Sequence, residues 1–336
     1  MARISVIGSG TWGMALSILL NSNNHEVVVW SALPEEVEML KTKREHNNLP
    51  GVKIPENIEI TGDLEYAVKS GELLVLSVPS VYTRQTARKM REYVADGQII
   101  VNVAKGIEED TLMTLTEQIE EEIPQADVAV LSGPSHAEEV SRGIPTTCVT
   151  GAKTKKTAEY IQNIFMRDNF RVYTSPDVLG IELGGSLKNV IALAAGVADG
   201  LGYGDNTKAA LITRGLAEIV RLALKMGANA ETLYGLSGMG DLIVTCASMH
   251  SRNRRAGILI GQGKSMQEAM DEVHMVVEGV YSAKAALALS RKYDVNMPIV
   301  DAINKVLFEN KSASEAVNHL MTRDKSIENQ RLPWNE

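Results

Sequence analysis

Hydrophobic and polar positions follow two different patterns in the two halves of the chain. Up to about residue 180, short apolar runs alternate with amphipathic stretches; the runs are RISVIG, EVVVW, LLVLSV, QIIVNVA, DVAVLSG, TTCVTG and FRVYT. Continuous apolar runs are typical of strands buried on both faces, and the amphipathic stretches between them indicate helical crossovers. We therefore predict an α/β domain over residues 1–180, with a doubly wound and mostly parallel sheet.

The second half has a helical pattern instead. From residue 181 onward, Ala, Leu and Met recur at helical spacing, and the pattern is interrupted at DGLGYGDN, MGANAE and GQGKS. Ser175 and Pro176 form a favourable cap and first-turn pair just before this half. We expect an all-helical domain over residues 181–336, and the length of 336 residues agrees with two domains.

The amino-acid composition argues against several classes of binding partner. The net charge is −8 and only 4% of residues are aromatic, which argues against broad binding to nucleic acid or to an anionic membrane. No segment approaches 18 continuous apolar residues, so we expect no membrane span and a cytoplasmic protein. Cys148 and Cys246 are read as buried free thiols, and the scattered histidines give no support for a metal site.

A glycine-rich motif follows the first predicted strand. Gly8, Gly10 and Gly13 have G-x-G-x-x-G spacing, and TWGMALSILL opens a helix directly after them. In this context Gly8 makes a tight turn, Gly10 lets the backbone approach a pyrophosphate, and Gly13 permits close packing of helix and strand. The motif predicts a dinucleotide-binding domain of the Rossmann type, whereas a glycine turn that serves packing only is the competing interpretation.

The residues after the second strand leave the choice of coenzyme open. An NAD-binding unit usually has an acidic residue there to hold the ribose 2′-hydroxyl. Here Trp30 is followed by Ser31, Ala32 and Leu33, with no acid before Glu35 and no arginine for a 2′-phosphate.

Two further motifs follow later strands of the predicted sheet. Lys105 lies just past the strand in QIIVNVA, and Gly133 and Ser135 lie past the strand in DVAVLSG. Ligands of open α/β sheets collect at the carboxyl ends of the strands. Lys105 is therefore a candidate ligand contact, although a solvated surface lysine has the same pattern.

Two polar residues interrupt an apolar helix in the second half. Lys188 and Asn189 lie in IELGGSLKNVIALAAG, where Gly185, Asn189 and Gly196 fall on one stripe of small residues. Glycine inside a helix is costly, so this stripe indicates close approach by a partner. Another helix and a bound ligand both remain possible partners.

The last motif combines an acid with an arginine cluster. Asp241 and Thr245 are spaced to share a helix face, and SMHSRNRRAG places three arginines within ten residues of an acidic chain. A solvated helix end and a pocket for a small anion are both open interpretations.

Together these motifs resemble the bacterial type of NAD(P)-dependent glycerol-3-phosphate dehydrogenase. The resemblance covers nearly the whole chain and rests on GSGTWG, LPGVKIPENI, VAKGIE, LSGPSHAEEV, SLKNVIALAAG, DNTKAALITRGLAEI, GLSGMGDLIVTC and HSRNRRAG, in the order and spacing of that family. It implies reversible reduction of dihydroxyacetone phosphate to sn-glycerol 3-phosphate, for phospholipid synthesis, with NAD(H) or NADP(H) and no metal. We also expect a homodimer. The family often has His or Arg where this chain has Ala32 and Leu33.

The resemblance also implies roles for individual residues. Lys188 would be the catalytic acid/base. Substrate contacts would come from Lys105, Gly133, Ser135, Lys188, Asp241, Ser251, Arg252 and Asn253. Coenzyme contacts would come from Gly8, Ser9, Gly10, Thr11, Trp12, Gly13, Lys105, Ala137, Arg252, Val276 and Glu278.

Elementary chemistry is compatible with those roles. Hydride attack on a ketone builds negative charge on oxygen, so a positioned proton donor is needed. A lysine can donate if burial and a second cation, such as Lys105, lower its pKa. Whether Asp241 orients Lys188 or a substrate hydroxyl is left open. A related two-domain 3-hydroxyacid or sugar-acid dehydrogenase and a dinucleotide-sensing regulator are the competing function classes; the regulator would not need Lys188.

Overall fold

The computed structural model describes residues 1–325 and 327–328, so the end of the predicted helical domain, residue 326 and residues 329–336, lies outside the described residues. One eight-stranded sheet has the order β3-β2-β1-β4-β5-β6-β7-β8, and only the β6–β7 pair is antiparallel. The strands are β1 Arg3–Ile7, β2 Glu26–Trp30, β3 Glu59–Thr61, β4 Leu73–Leu76, β5 Ile99–Asn102, β6 Asp127–Ser132, β7 Thr146–Ala152 and β8 Phe170–Ser175. The prediction of a doubly wound, mostly parallel sheet is confirmed.

All seven apolar runs form strands, and one strand was not predicted. Strand β3 has only three residues, pairs with β2 at the sheet edge and exposes Glu59. Its side chains are too few and too polar to give the continuous apolar run that marks the central strands.

Helices cover both faces of this sheet. They are α1 Thr11–Ser22, α2 Pro34–Lys43, α3 Leu64–Ser70, α4 Thr83–Met90, α5 Leu115–Glu122, α6 Ala137–Val140 and α7 Lys155–Phe165. Local caps fix several of their starts. The Asp63 carboxylate accepts a hydrogen bond from the Tyr66 backbone N–H at 3.0 Å, and Thr114 and Glu117 form a capping box at α5.

The second half is helical, as predicted. Its helices are α8 Val178–Gly200, α9 Asp205–Met226, α10 Ala230–Tyr234, α11 Asp241–Ala247, α12 Arg252–Gly261, α13 Met266–Val273, α14 Glu278–Lys292, α15 Pro298–Phe308 and α16 Ala313–Met321. A π-type turn over Leu236–Gly240 leads directly into α11. The three predicted interruptions separate α8 from α9, α9 from α10, and α12 from α13.

Helix α8 is the central helix of this half, and its start differs from the prediction. The cap is Asp177, whose carboxylate accepts from the Gly180 N–H at 2.9 Å, whereas the Ser175 hydroxyl accepts from the Asp177 N–H. The helix therefore begins two residues beyond Pro176, because the Asp177 carboxylate caps the Gly180 N–H, while Ser175 binds the Asp177 N–H ahead of the helix. The predicted domain division at 180/181, which falls within the first turn of α8, stays a prediction.

Helix α8 is also the only helix in the described part of the chain that is long and apolar enough to cross a membrane. Within its most apolar window, 89% of the residues are buried inside the protein. A neighbouring helix covers one end of the stripe of small residues: a Cβ on Gly196 would lie 2.2 Å from the Arg254 carbonyl oxygen of α12. The partner at Gly196 is therefore a second helix. Cys148 and Cys246 are buried free thiols, as predicted.

Candidate active site

Four loops meet at one edge of the sheet. They follow the carboxyl ends of β1, β4, β5 and β6, which lie in parallel pairs in the order β1-β4-β5-β6. The loops carry the glycine-rich motif, Ser77 to Ser80, Lys105, and Gly133 with Ser135. This is the edge where open α/β sheets bind ligands, and the helical half adds α8, α11 and α12 beside it.

The glycines of the first loop divide into packed and open positions. Gly8 has a φ of +119°, and a Cβ there would lie 2.8 Å from the Val78 backbone nitrogen. A Cβ on Gly13 would lie 2.1 Å from the Gly8 carbonyl oxygen, so α1 packs directly on the loop. A Cβ on Gly10 would have no atom within 4 Å. The open space beside Gly10, at the N-terminus of α1, is where a pyrophosphate would approach the backbone.

Two lysines from different halves share one carboxylate. Lys105 Nζ lies 2.6 Å from Asp241 Oδ2, and Lys188 Nζ lies 2.8 Å from Asp241 Oδ1. Lys188 Nζ also donates to the Thr245 hydroxyl at 2.6 Å, and that hydroxyl donates to the Asp241 carbonyl oxygen. Thr245 therefore lies on the same helix face as Asp241, as predicted. The loop, α8 and α11 together hold the two ammonium groups.

Burial and the neighbouring charges set the pKa values of Lys188 and Asp241. Burial lowers the pKa of Lys188 to about 8; the Asp241 carboxylate opposes that change, and the positive charge of Lys105 adds to it. Burial alone would raise the pKa of Asp241, but Lys105 and Lys188 hold it below its usual value. The site therefore contains an ionised carboxylate beside a lysine able to release a proton near neutral pH.

Gly133 and Ser135 lie against the Lys105 side of this group. The Gly133 carbonyl oxygen accepts from Lys105 Nζ at 3.1 Å and from the Ser135 hydroxyl at 3.0 Å. A Cβ on Gly185 of α8 would lie 2.9 Å from the Ser132 hydroxyl oxygen and 3.5 Å from Lys105 Cγ. The glycine at this end of the α8 stripe thus makes room for Lys105.

The N-terminus of α12 supplies free donors near the lysines. Ser251 caps the helix by accepting from the Arg254 N–H at 3.2 Å. Among the described residues, the backbone N–H groups of Arg252 and Asn253 and the Arg252 guanidinium have no hydrogen-bond acceptor. Free N–H groups at a helix N-terminus and an unpaired guanidinium form a site for a phosphate or a carboxylate.

The side chains that follow Arg252 are already engaged within the protein. Asn253 Nδ2 donates to Asn189 Oδ1 at 3.0 Å, and Asn253 Oδ1 accepts from the Gly279 N–H at 2.8 Å. Arg254 Nε pairs with Asp199 at 2.7 Å, and Arg255 is exposed. The arginine cluster therefore contains one guanidinium without a hydrogen-bond acceptor among the described residues, one structural ion pair and one solvated side chain.

Glu278 joins α14 to the sheet. Its carboxylate accepts from the Ser80 backbone N–H at 3.2 Å and from the Ser80 hydroxyl. Burial raises its pKa, while Ser80 and the nearby charge of Arg252 act in the opposite direction. The half-buried Val276 precedes this contact in the same turn. Glu278 therefore places the start of α14 between the β4 loop and Arg252.

Comparison with known proteins identifies the family. The model of the NAD-dependent glycerol-3-phosphate dehydrogenase N-terminus matches residues 3–158, and that of the C-terminus matches residues 177–318. The chain belongs to the NAD-dependent glycerol-3-phosphate dehydrogenase family.

Individual relatives match this chain over nearly their full lengths. A protein of Agathobacter rectalis named glycerol-3-phosphate dehydrogenase [NAD(P)+] is 66% identical, over 99% of this chain and 100% of its own. A protein of the same name from Fusobacterium nucleatum is 60% identical, over 98% of this chain and 99% of its own. The crystal structure of glycerol-3-phosphate dehydrogenase from Coxiella burnetii superposes with a TM-score of 0.93 at 33% identity, covering 96% and 99% of the two chains.

The fold brings most of the predicted family residues to one edge. The glycine loop with Ser9, Thr11 and Trp12, the lysine group, Gly133, Ser135 and the α12 start all lie there. Ala137 is buried in the first turn of α6, which packs on α1. The individual roles of these residues stay predictions. Within the described part of the chain, no group of three His, Cys, Asp or Glu residues could hold a metal ion.

The chain fits the coenzyme of this family. Any side chain at position 10 would fill the open space beside Gly10. Helix α1, which begins there, has no side-chain cap to occupy its first N–H groups.

Two polar residues at the site were missed as candidates. Ser80 follows β4 without any motif, and Glu36 comes five residues after Ser31, beyond the position where an acid was sought.

Proposed function

We propose that this chain catalyses the reversible, NAD(P)H-dependent reduction of dihydroxyacetone phosphate to sn-glycerol 3-phosphate. The observation that carries the proposal is the Lys105–Asp241–Lys188 group beside the α12 N-terminus, with its 2.6 Å and 2.8 Å ion pairs. A protonated lysine and a free anion site suit a ketone that carries a phosphate. Full-length relatives named for this activity support the assignment.

The substrate phosphate is bound at the α12 N-terminus. The Arg252 guanidinium forms two parallel hydrogen bonds with it, and the backbone N–H groups of Arg252 and Asn253 donate to its remaining oxygens. Because the Asn253 side chain is engaged with Asn189 and Gly279, it contributes through its backbone and by fixing the helix start. Ser251 caps that start. The carbonyl then points toward Lys188 and Lys105, near Gly133 and Ser135.

Lys188 is the proton donor. As negative charge develops on the carbonyl oxygen, Lys188 Nζ transfers a proton to it, which forms the C2 hydroxyl and leaves a neutral amine. With a pKa of about 8, Lys188 is mostly protonated at pH 7 and yet releases its proton readily. Asp241 orients Lys188 and Lys105, and Lys105 stabilises the developing charge. In the reverse direction neutral Lys188 accepts the proton.

A bound coenzyme would supply the hydride. The loop from Gly8 to Gly13, including Ser9, Thr11 and Trp12, would hold its pyrophosphate. Lys105, Ala137, Arg252, Val276 and Glu278 would provide the remaining coenzyme contacts. Both NAD(H) and NADP(H) suit the family name.

We also propose a metabolic role, a location, an oligomeric state and a domain division for this chain. The reaction supplies the glycerol phosphate backbone for phospholipid synthesis, in the cytoplasm, without a nucleic-acid partner. We also propose a homodimer and a division into residues 1–180, which bind the dinucleotide, and residues 181–336, which bind substrate. Sedimentation of the purified protein tests the dimer.

A direct assay tests the proposed reaction. Purified protein is mixed with NADH or NADPH and dihydroxyacetone phosphate, and loss of absorbance at the reduced nicotinamide band is followed. We expect rapid loss with this substrate and slow loss with unphosphorylated dihydroxyacetone. Faster turnover of a 3-oxo acid, or no turnover of dihydroxyacetone phosphate with either coenzyme, would contradict the proposal.

A further inference from the structure

Glu36 places a carboxylate between the first two strand ends. Its Oε2 accepts a hydrogen bond from the Ser9 hydroxyl at 2.5 Å and from the Ser31 hydroxyl at 2.5 Å. Ser9 belongs to the glycine-rich loop after β1, and Ser31 directly follows β2. Among the described residues, the other oxygen, Oε1, accepts no hydrogen bond.

Glu36 lies where a dinucleotide-binding sheet recognises the adenosine ribose. Strands β1 and β2 are parallel neighbours, with Ile7 paired to Trp30, so their carboxyl ends lie side by side. In such a sheet an acid at the end of the second strand accepts hydrogen bonds from the adenosine ribose beside the glycine loop. Here residues 31–33 carry no acid, and the first turn of α2 brings a carboxylate to the same place.

We propose that Glu36 recognises the 2′-hydroxyl of the coenzyme's adenosine ribose and makes NADH the preferred coenzyme of this chain. The proposal rests on the proposed function and assigns the coenzyme choice within it. Oε2 is held by the two serine hydroxyls, and Oε1 accepts from the ribose hydroxyl. The serines thus position the carboxylate and leave one oxygen for the coenzyme.

The surrounding charges disfavour a 2′-phosphate. The connection from β2 to α2, Ser31 to Pro34, contains no Lys or Arg that could pair with it. His46 is the titratable neighbour of Glu36, and burial lowers its pKa, so it is neutral at pH 7. A 2′-phosphate would therefore meet the Glu36 carboxylate with no cation from this connection or from His46 to compensate it, and like charges in contact are strongly unfavourable.

Equilibrium binding tests this without any turnover. NADH and NADPH are titrated separately into the purified full chain by calorimetry, with no second substrate present. We expect the wild-type Kd for NADPH to exceed that for NADH by at least about tenfold, because like charges oppose each other. Glu36→Gln keeps an oxygen for the serines and removes the charge. It should lower the ratio of the two Kd values at least about fivefold, mainly through tighter NADPH binding.

Glu35→Gln is the matched control, because Glu35 lies in the same helical turn, is exposed and makes no side-chain hydrogen bond to the described residues. It should leave the ratio unchanged. Equal wild-type affinities, or a Glu36→Gln variant in which both affinities change by the same factor, would overturn the proposal and make Glu36 a structural link. Reduction of dihydroxyacetone phosphate with both coenzymes in that case would leave the proposed function intact. Absence of binding by either coenzyme would instead contradict the proposed function.

Discussion

Replacing Asp241 by asparagine tests whether the negative charge of Asp241 keeps Lys188 protonated. The Asp241 carboxylate is 2% exposed and bridges Lys105 and Lys188 at 2.6 Å and 2.8 Å. The Asp241→Asn side chain would keep the shape but lose the negative charge that opposes the low pKa of Lys188. The ammonium groups of Lys105 and Lys188 would then repel each other without a carboxylate between them, and we expect Lys188 to lose its proton at a lower pH.

The size of the effect follows from the geometry. Two unit charges about 4 Å apart interact by about 4 kcal/mol at an effective dielectric constant of about 20, which corresponds to about three pH units. Because the asparagine side chain retains a hydrogen-bonding oxygen, we expect the pH midpoint for reduction to move down by about two units. From a starting pKa of about 8, the protonated fraction of Lys188 at pH 7 falls about tenfold.

The assay is the pH profile of kcat/KM for reduction of dihydroxyacetone phosphate, which reports the ionisation of the free enzyme. Asp199→Asn is the matched control, since Asp199 also bridges two cations, Lys208 at 2.8 Å and Arg254 at 2.7 Å, away from the lysine pair. Asp199→Asn should lower the midpoint of thermal unfolding and leave the pH midpoint of kcat/KM unchanged. An Asp241→Asn profile that keeps its midpoint and falls evenly at every pH would refute the reasoning.

Three further outcomes are expected. Gly10→Asp should abolish NADH binding while the circular dichroism spectrum is kept, because the new carboxylate enters open space and meets the pyrophosphate; normal titration would refute this. Arg252→Ala should lower kcat/KM for dihydroxyacetone phosphate at least about tenfold but barely change reduction of dihydroxyacetone, whereas Arg255→Ala changes neither; equal losses would argue against phosphate binding. Wild-type reduction should decline, and glycerol phosphate oxidation rise, as pH passes about 8; parallel profiles would exclude Lys188 titration.

The sequence predicted the sheet because its central strands are buried on both faces. Val27 to Val29 and Leu73 to Leu76 are nearly inaccessible, so their apolar runs are continuous and easily recognised. Strand β3 and the Asp177 cap were missed, since a three-residue edge strand and a choice between capping residues only two positions apart leave weak local signals.

The site was predicted in parts and could not be assembled from spacing. Lys105 and Asp241 are 136 residues apart, and their contact depends on how α11 packs beside α8 and the sheet edge. The sequence left open whether Asp241 orients Lys188 or a substrate hydroxyl, and the fold brings the Asp241 carboxylate to 2.8 Å from Lys188 Nζ. Glu36 was overlooked because the acid was sought directly after β2, whereas helix α2 delivers it from its first turn.

The central claim is that Lys188 donates the proton, and Lys188→Met tests it most directly. Turnover of dihydroxyacetone phosphate and the Kd for NADH are measured on the same folded preparation. We predict a loss in kcat of about 10²–10⁴-fold, the usual contribution of general acid catalysis, with a Kd for NADH close to that of the wild type. Turnover within a few-fold of the wild type would contradict the account and make Lys188 a structural residue.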